Sequence, residues 1–155
     1  MKKVLGCLRK AVEDFNMINE GDRIAVGVSG GKDSLVLLKA LKLYQYFSPV
    51  KYELEAITLT MGFDGCDLTG IKEFCKEFEI PYTIRETQIG KIIFDVRKEK
   101  NPCSLCAKMR RGALHDVALE RGCRKVALGH HREDVIETIF LSLFYEGRFN
   151  TFSPV

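Results

Sequence analysis

Residues 27–34 read Gly27-Val28-Ser29-Gly30-Gly31-Lys32-Asp33-Ser34, between a short apolar run and a long segment with helical apolar periodicity. This order predicts a strand that ends in a glycine turn and opens directly into a helix. Glycines let backbone N–H groups point inward, and the helix N-terminus adds unsatisfied donors and a positive partial charge. Lys32 adds a full charge, Ser34 a hydroxyl, and Asp33 a carboxylate that can hold the magnesium accompanying a polyphosphate. The stretch predicts a nucleotide site, and a glycine turn without a ligand is the plainer alternative.

Two other phosphate-binding loops are excluded by their spacing. The Walker pattern requires glycine five positions before Gly31, where Val26 stands, and Ser or Thr after the lysine, where Asp33 stands. The dinucleotide pattern G-x-G-x-x-G requires glycine two positions after Gly27, where Ser29 stands. The stretch instead resembles the Ser-Gly-Gly-x-Asp-Ser loop of the N-type ATP pyrophosphatases, or PP-loop proteins. That resemblance implies cleavage of ATP between the α and β phosphates, with AMP transferred to a substrate oxygen.

Length and composition favour one soluble globular domain. The chain has 155 residues, of which 46% are hydrophobic and 29% charged. Its apolar runs are short, and no apolar stretch follows Lys2 and Lys3, so we expect neither a membrane span nor a signal peptide. Six cysteines without a secretion signal favour a reduced compartment, and we expect a cytoplasmic protein.

Apolar periodicity predicts alternating helices and strands along the chain. Helices are predicted at 3–18, 33–46, 67–79, 104–121 and 133–145, and strands at 23–29, 52–60, 82–86 and 125–128. The stretch 87–102 has no clear period and is predicted to be a mobile or ligand-dependent loop. The alternation predicts an α/β fold with a doubly wound, Rossmann-like parallel sheet. The loops at 29–34 and 129–131 would then open at the same edge, at the carboxyl ends of the strands.

A Cys-x-x-Cys pair stands at the predicted start of the fourth helix. Thiolates of Cys103 and Cys106 would be stabilised there by the helix N-terminus. The pair could have no special role, form a redox dithiol, or bind a metal or cluster with further ligands. A redox dithiol of the thioredoxin type would come earlier, after a first strand.

Basic residues cluster around the same helix start. They favour contact with phosphates of a nucleic acid or of ATP, and a solvated basic face is an equally good explanation. The cluster comprises Arg97, Lys98, Lys100, Lys108, Arg110 and Arg111.

Two further blocks extend the resemblance beyond the PP-loop. Residues 103–112 read Cys-Ser-Leu-Cys-Ala-Lys-Met-Arg-Arg-Gly, and 127–138 read Ala-Leu-Gly-His-His-Arg-Glu-Asp-Val-Ile-Glu-Thr. Together the three blocks are similar to the tRNA 2-thiocytidine synthetase family. The Cys-x-x-Cys before Arg-Arg-Gly is the discriminating block, because Gly-His-His is shared with lysidine synthetases.

This resemblance implies a tRNA-thiolating enzyme. The family adenylates the C2 oxygen of a cytidine in the tRNA anticodon loop and replaces it with sulfur. The implied cofactors are ATP, Mg²⁺ and a [4Fe–4S] cluster. The implied partners are tRNA and a sulfur donor, either sulfide or a desulfurase persulfide. A homodimer is possible. There are two alternatives. One is an enzyme that adenylates another base or a small molecule, and the other is a nucleotide-binding module without turnover.

The resemblance also assigns residues to roles. Cys103 and Cys106 correspond to two of three cluster ligands, the third lying in a distal C-terminal part that the domain at 1–155 is expected to lack. Lys32 and Asp33 are the implied catalytic residues, with Asp33 also the magnesium ligand. For His130 and His131 a structural role is as well supported as contact with ATP. Arg110 and Arg111 are expected to contact RNA or phosphate, and ATP binding is assigned to Ser29, Gly30, Gly31, Lys32, Asp33, Ser34, Leu59, Gly129 and His130.

Overall fold

The computed structural model describes residues 1–62, 67–93, 102–149 and 151, and for 102–104 it describes the backbone only. Within these ranges, helices and strands alternate as the periodicity predicts. The elements in chain order are α1 (Lys2–Asp14), β1 (Asp22–Gly27), α2 (Lys32–Tyr44), β2 (Tyr52–Thr60), α3 (Thr69–Glu77), β3 (Tyr82–Glu86), α4 (Ile89–Lys91), α5 (Pro102–Glu120), β4 (Lys125–Leu128) and α6 (Arg132–Glu146).

The four strands form one parallel sheet in the order β3-β2-β1-β4. From β1 the chain moves outward through β2 to β3, and then returns to the other side of β1 to add β4. The strand order therefore reverses between β1 and β4, and parallel sheets bind ligands at the carboxyl ends of the strands beside such a point. The loops after β1 and β4 meet there, as the sequence predicts.

Helices cover both faces of the sheet, which confirms the doubly wound fold. On one face, α1, α2 and α3 pack on β1 and β2 through buried side chains such as Val12, Leu38 and Ile71. On the other face, α5 packs through Leu114 and Val117 on residues that include Ala25 and Ile57. The central strand β1 is buried on both faces, as is typical of parallel sheets.

A buried carboxylate fixes the C-terminal end of α5 to the sheet. Glu55, in β2, has no solvent-exposed surface and accepts hydrogen bonds from Arg23 Nη2 (2.9 Å), Arg121 Nε (2.6 Å) and Thr83 Oγ1 (2.7 Å). Burial alone would raise the pKa of Glu55. The hydrogen bonds from Thr83 and Arg121 and the neighbouring guanidinium charges outweigh burial and lower that pKa.

The first predicted helix and strand end earlier than the periodicity indicates. Helix α1 stops at Asp14 rather than at residue 18, because Asn16 has a φ of +47° and turns the chain. Phe15 lies beyond the last helical residue and is 76% exposed. Strand β1 stops at Gly27 rather than 29, where the chain enters the glycine turn.

The predicted loop at 87–102 is wrong for the part that the structure describes. A short helix, α4, follows β3, and Ile89 and Ile93 are buried. The N–H of Gly90 donates to the carbonyl oxygen of Met61 at 2.9 Å, which fixes this segment beside the end of β2. Two isoleucines spaced by four residues bury one helical face, a pattern too short to show as periodicity. Residues 94–101 lie outside the described residues.

Helix α6 forms as predicted and ends at Gly147, whose φ is +62°. Its apolar face is exposed, and Phe140 and Phe144 stack on each other with ring centroids 5.9 Å apart. Strand β4 is the edge of the sheet formed by the described strands, so this face has no strand beyond β4 to pack against. Among the described helices, none is both long enough and apolar enough to cross a bilayer.

Candidate functional site

A cavity of about 650 Å³ opens at the carboxyl ends of β1, β2 and β4, beside the point where the strand order reverses. Its walls are residues 29–34 (named the PP-loop here, after the resemblance), the β4–α6 loop at residues 129–131, and α5. Its lining combines predicted nucleotide residues with apolar side chains from the strand ends. The lining residues are Gly27, Val28, Ser29, Gly31, Asp33, Ser34, Ile57, Leu59, Met61, Ala107, Arg110, Arg111, Leu114, Leu128, Gly129, His130 and Asp134.

The PP-loop is closed by its own serines. Ser34 is buried, and its hydroxyl donates to the carbonyl oxygen of Gly31 at 2.9 Å and accepts from the N–H of Ser29 at 3.3 Å. Gly30 has a φ of +85°, a conformation that glycine adopts without steric cost. Ser34 therefore shapes the loop from inside, and the backbone N–H groups remain the natural phosphate donors.

The N-terminus of α2 is open for an anion. Its N-cap is Gly31, and no side chain of the described residues caps it. The first-turn N–H groups of a helix have no intrahelical partners, and with the helix dipole they favour negative charge. Asp33 also lies in this first turn. Because its carboxylate would repel a phosphate, a phosphate bound here needs a cation between the two groups.

The N-terminus of α6, at the same edge, is closed by its own side chains. The N–H of His131 donates to Asp134 Oδ2 at 2.7 Å, and His131 Nδ1 accepts from the N–H of Asp134 at 3.4 Å. This reciprocal pair is a capping box in which histidine takes the place of serine or threonine. Of the two helix starts, α2 is therefore the better phosphate site.

The PP-loop and the β4–α6 loop touch at Gly129. A Cβ at this position would lie 2.8 Å from Ser34 N and 2.9 Å from Asp33 C, both backbone atoms. Glycine is thus required at 129 by the close approach of the two loops.

Substituting Gly129 by alanine tests this contact. We expect Gly129→Ala to lower the free energy of unfolding by about 1–3 kcal/mol, because the new methyl group forces backbone atoms apart. Affinity for ATP should fall as well, since the displaced atoms belong to the PP-loop. Denaturant unfolding and calorimetric ATP titration measure both effects. The matched control is Gly6→Ala in α1, where a Cβ meets nothing within 4 Å, and which should raise stability slightly. Equal ATP affinities for Gly129→Ala and the unsubstituted protein would contradict the expectation.

Most of the predicted ATP residues come together at the cavity. Ser29, Gly31, Asp33, Ser34, Leu59, Gly129 and His130 all line it. Gly30 and Lys32 are not among the lining residues, and Lys32 is exposed at the first residue of α2. The catalytic role of Lys32 stays a prediction.

Arg110 and Arg111 face the same cavity from α5. Together with Ala107 and Leu114 they form the part of the helix that lines it. Two positive side chains thus lie across the cavity from the PP-loop, where they can meet phosphates of ATP or of a second substrate. Lys108 is exposed on the same helix, and Arg97, Lys98 and Lys100 lie outside the described residues.

Of the apolar wall the sequence predicts only Leu59, and it assigns no role to one of the two carboxylates. Ile57 and Met61 line the cavity with Leu59, and their alternate spacing along the end of β2 places all three on one face. Asp134, in the first turn of α6, also lines the cavity. Apolar residues at every second position near the end of a predicted strand are the pattern that could have identified this wall.

The carboxylates at the cavity suit Mg²⁺. Asp33 and Asp134 both line it, and Asp33 is half-buried at the open N-terminus of α2. Mg²⁺ in nucleotide sites is usually held by one or two carboxylates together with substrate phosphates and waters. These residues fit that ion when it arrives with a polyphosphate.

The described cysteines supply only part of a cluster site. Cys106 is half-buried in α5, beside cavity-lining Ala107, and the side chain of Cys103 lies outside the described residues. Cys75 and Cys123 are buried in the two hydrophobic clusters, and burial raises the pKa of the Cys75 thiol to about 11. Cys7 is exposed on α1. The described side chains contain no group of three or more His, Cys, Asp or Glu that could hold a metal, so a cluster needs ligands beyond them.

Comparison with known proteins identifies the family. The PP-loop domain family matches residues 5–152. The tRNA-cytidine(32) 2-sulfurtransferase of Syntrophotalea carbinolica is 43% identical over 99% of this chain and 59% of its own length. The protein of the same name from Alkalilimnicola ehrlichii is 44% identical over 93% of this chain and 46% of its own length. The chain thus spans about half the length of these relatives.

Solved structures support the same assignment. The U34-tRNA thiolase NcsA from Methanococcus maripaludis, solved with its [4Fe–4S] cluster, aligns with a TM-score of 0.70 and 33% identity. The alignment covers 86% of this chain and 45% of that one. An NH₃-dependent NAD synthetase from Campylobacter jejuni, 16% identical with a TM-score of 0.59, shares the fold. The resemblance inferred from the three motif blocks is confirmed: the chain belongs to the PP-loop domain family, with tRNA-cytidine(32) 2-sulfurtransferases among its relatives.

Proposed function

We propose that this chain is the ATP-binding, adenylating part of an ATP-dependent tRNA thiolating enzyme that acts on a cytidine of the anticodon loop. The observation that carries the proposal is the cavity itself. It joins the open N-terminus of α2 to the helix whose first turns contain Cys103 and Cys106. The identity to named tRNA-cytidine(32) 2-sulfurtransferases supports the choice of substrate.

The lining of the cavity favours one orientation of ATP. The phosphates belong at the PP-loop and the N-terminus of α2, where N–H donors and the helix dipole favour negative charge. The adenine belongs against the apolar wall formed by Ile57, Leu59 and Met61 at the end of β2. In this orientation the α-phosphate would lie between the PP-loop and α5.

Replacement of the cytidine C2 oxygen by sulfur requires activation, because this oxygen is a poor leaving group. The cytidine C2 oxygen attacks the α-phosphate, the bond from that phosphorus to the β-phosphate oxygen breaks, and pyrophosphate leaves. Lys32, Mg²⁺ held near Asp33, and Arg110 or Arg111 across the cavity would offset the negative charge that develops. The resulting AMP ester makes the C2 position reactive toward sulfur.

Sulfur delivery requires residues beyond the described ones. Cys103 and Cys106 would provide two ligands of a [4Fe–4S] cluster, with the third in a distal C-terminal part of the protein. When bound, such a cluster would present the donor's sulfur to the activated C2 carbon, from which the C2 oxygen leaves with AMP. The sulfur donor would be sulfide or a desulfurase persulfide, and the enzyme would work in the cytoplasm as a homodimer.

The experiment uses the full-length gene product, purified under anaerobic conditions. Incubation with ATP, Mg²⁺, sulfide and unmodified tRNA should yield one AMP and one pyrophosphate for each thiolated cytidine, detected by mass spectrometry of nucleosides. Omitting ATP should abolish thiolation. Failure to thiolate with an intact cluster would refute the proposal, and AMP release that does not depend on tRNA would indicate another substrate.

Cluster ligation has its own test in iron content. We expect Cys103→Ser and Cys106→Ser each to remove most of the iron and the visible absorption from the anaerobically purified full-length protein, because thiolates hold such clusters. Cys7→Ser is the matched control, since Cys7 is exposed on α1 and should keep full iron content. Iron retained at the level of the control in both variants would show that the pair does not bind the cluster.

A further inference from the structure

The ring of His131 lies between α6 and the PP-loop. Its Nδ1 accepts a hydrogen bond from the N–H of Asp134 at 3.4 Å, within the capping box of α6. Its Nε2 faces Asp33 Oδ2 at 3.9 Å. The capping box therefore holds the ring with one nitrogen directed at the PP-loop carboxylate.

Carboxylate oxygens lie on both sides of the His131 ring. Nδ1 is 3.3 Å from Glu133 Oε2 and 3.4 Å from Asp134 Oδ2, and Nε2 is directed at Asp33 Oδ2. Nε2 is thus the ring nitrogen from which an N–H could donate to Asp33. Both side chains are about half exposed, 45% for His131 and 46% for Asp33, so the interaction is modest and partly screened.

His131 does not line the cavity itself, but it contacts two carboxylates that do, Asp33 and Asp134. Its neighbours His130 and Asp134 line the cavity, whereas His131 is not among the lining residues. The close approach of Gly129 to the backbone of Asp33 and Ser34 brings the β4–α6 loop into contact with the PP-loop.

We propose that His131 is a positioning residue: its ring orients the Asp33 carboxylate toward the cavity and so couples the β4–α6 loop to the phosphate site. The proposal deepens the proposed function and rests on it, because Asp33 is the residue assigned to Mg²⁺. It separates the roles of the two adjacent histidines. His130 faces the nucleotide cavity, and His131 acts through Asp33.

The test is the Mg²⁺ dependence of nucleotide binding. His131→Asn keeps an N-cap side chain that can accept from the first turn of α6, but the shorter side chain cannot reach Asp33. We expect this variant to need about three- to fivefold more Mg²⁺ for half-maximal binding of a non-hydrolysable ATP analogue, the range of a partly exposed charged contact. Nucleotide affinity without Mg²⁺ and the unfolding midpoint should stay unchanged. His115→Asn, at an exposed position of α5, is the matched control.

A double-mutant cycle shows whether the effect passes through Asp33. In an Asp33→Asn background, His131→Asn should have no further effect on the Mg²⁺ requirement. Additive effects, or a His131→Asn binding curve that coincides with that of the unsubstituted protein, would overturn the positioning role and leave the proposed function standing. Absence of Mg²⁺-dependent nucleotide binding in the unsubstituted protein would contradict the proposed function itself, and this inference with it.

Discussion

Asp33→Asn should lower the rate of AMP and pyrophosphate formation by about 10²–10³-fold, the loss typical of removing one transition-state electrostatic contact. Asp33 lines the cavity in the first turn of α2, where its carboxylate is placed to hold Mg²⁺ beside the phosphates. Asparagine preserves the size of the side chain but not its charge, so the metal is held less firmly. Pyrophosphate release from the full-length protein with ATP and tRNA measures the rate.

Two controls distinguish a loss of catalysis in Asp33→Asn from a loss of folding. Asp116→Asn changes the same functional group at an exposed position of α5 and should leave the rate unchanged. Asp33→Asn should also keep its affinity for ATP in the absence of Mg²⁺, since backbone donors of the PP-loop still hold the phosphates. A rate within about threefold of the unsubstituted protein would show that Asp33 does not hold the catalytic metal.

The position of the site followed from the sequence because it depends on local chemistry and on a topological rule. The Ser29–Ser34 turn has one good structural solution between a buried strand and a helix, and parallel sheets bring such turns to one edge. Strand order did not follow in the same way. Which side of β1 receives β4 depends on packing between distant segments, and periodicity contains no information about it.

The side of α5 that faces the cavity could likewise not be predicted from the sequence. The sequence predicted the helix and its Arg110-Arg111 pair but left open whether they face RNA or ATP. Their placement on the PP-loop cavity depends on how α5 lies on the sheet. That orientation is set in part by Glu55, a charged residue in the middle of a strand, which no pattern of apolar residues would select.

The hydrogen bonds of Glu55 hold the C-terminal end of α5, while the N-terminal half of the helix faces the cavity. Its C-terminal end is bound to the sheet by Arg121, and Leu114 and Val117 bury the adjoining turns. Its N-terminal half presents Arg110 to the cavity and contains the cysteine pair. A shift of the helix along its axis would therefore move the arginines and the cysteines together.

Glu55→Ala should lower the free energy of unfolding by about 2–4 kcal/mol. Breaking a fully buried ion pair costs about 3–5 kcal/mol, and the smaller value applies because Arg23 and Arg121 both reach solvent. The variant also leaves the Thr83 hydroxyl without its carboxylate acceptor. Denaturant unfolding measures the change. Glu53→Ala, on the same strand with its side chain 73% exposed, is the control and should change stability by no more than about 0.5 kcal/mol.

The dependence of stability on pH gives a second, independent signature of the same cluster. The pKa of Glu55 is lowered from its ordinary value of 4.5, so the folded protein keeps this carboxylate charged where the unfolded chain begins to bind a proton. Its contribution is therefore complete above about pH 4.5 and is lost as the pH falls through the lower, folded-state pKa. Glu55→Gln should remove this part of the acid sensitivity, so the two unfolding curves converge as the pH is lowered below 4.5. A constant difference between them at every pH would show that the loss comes from packing, because only a titrating carboxylate makes the difference depend on pH.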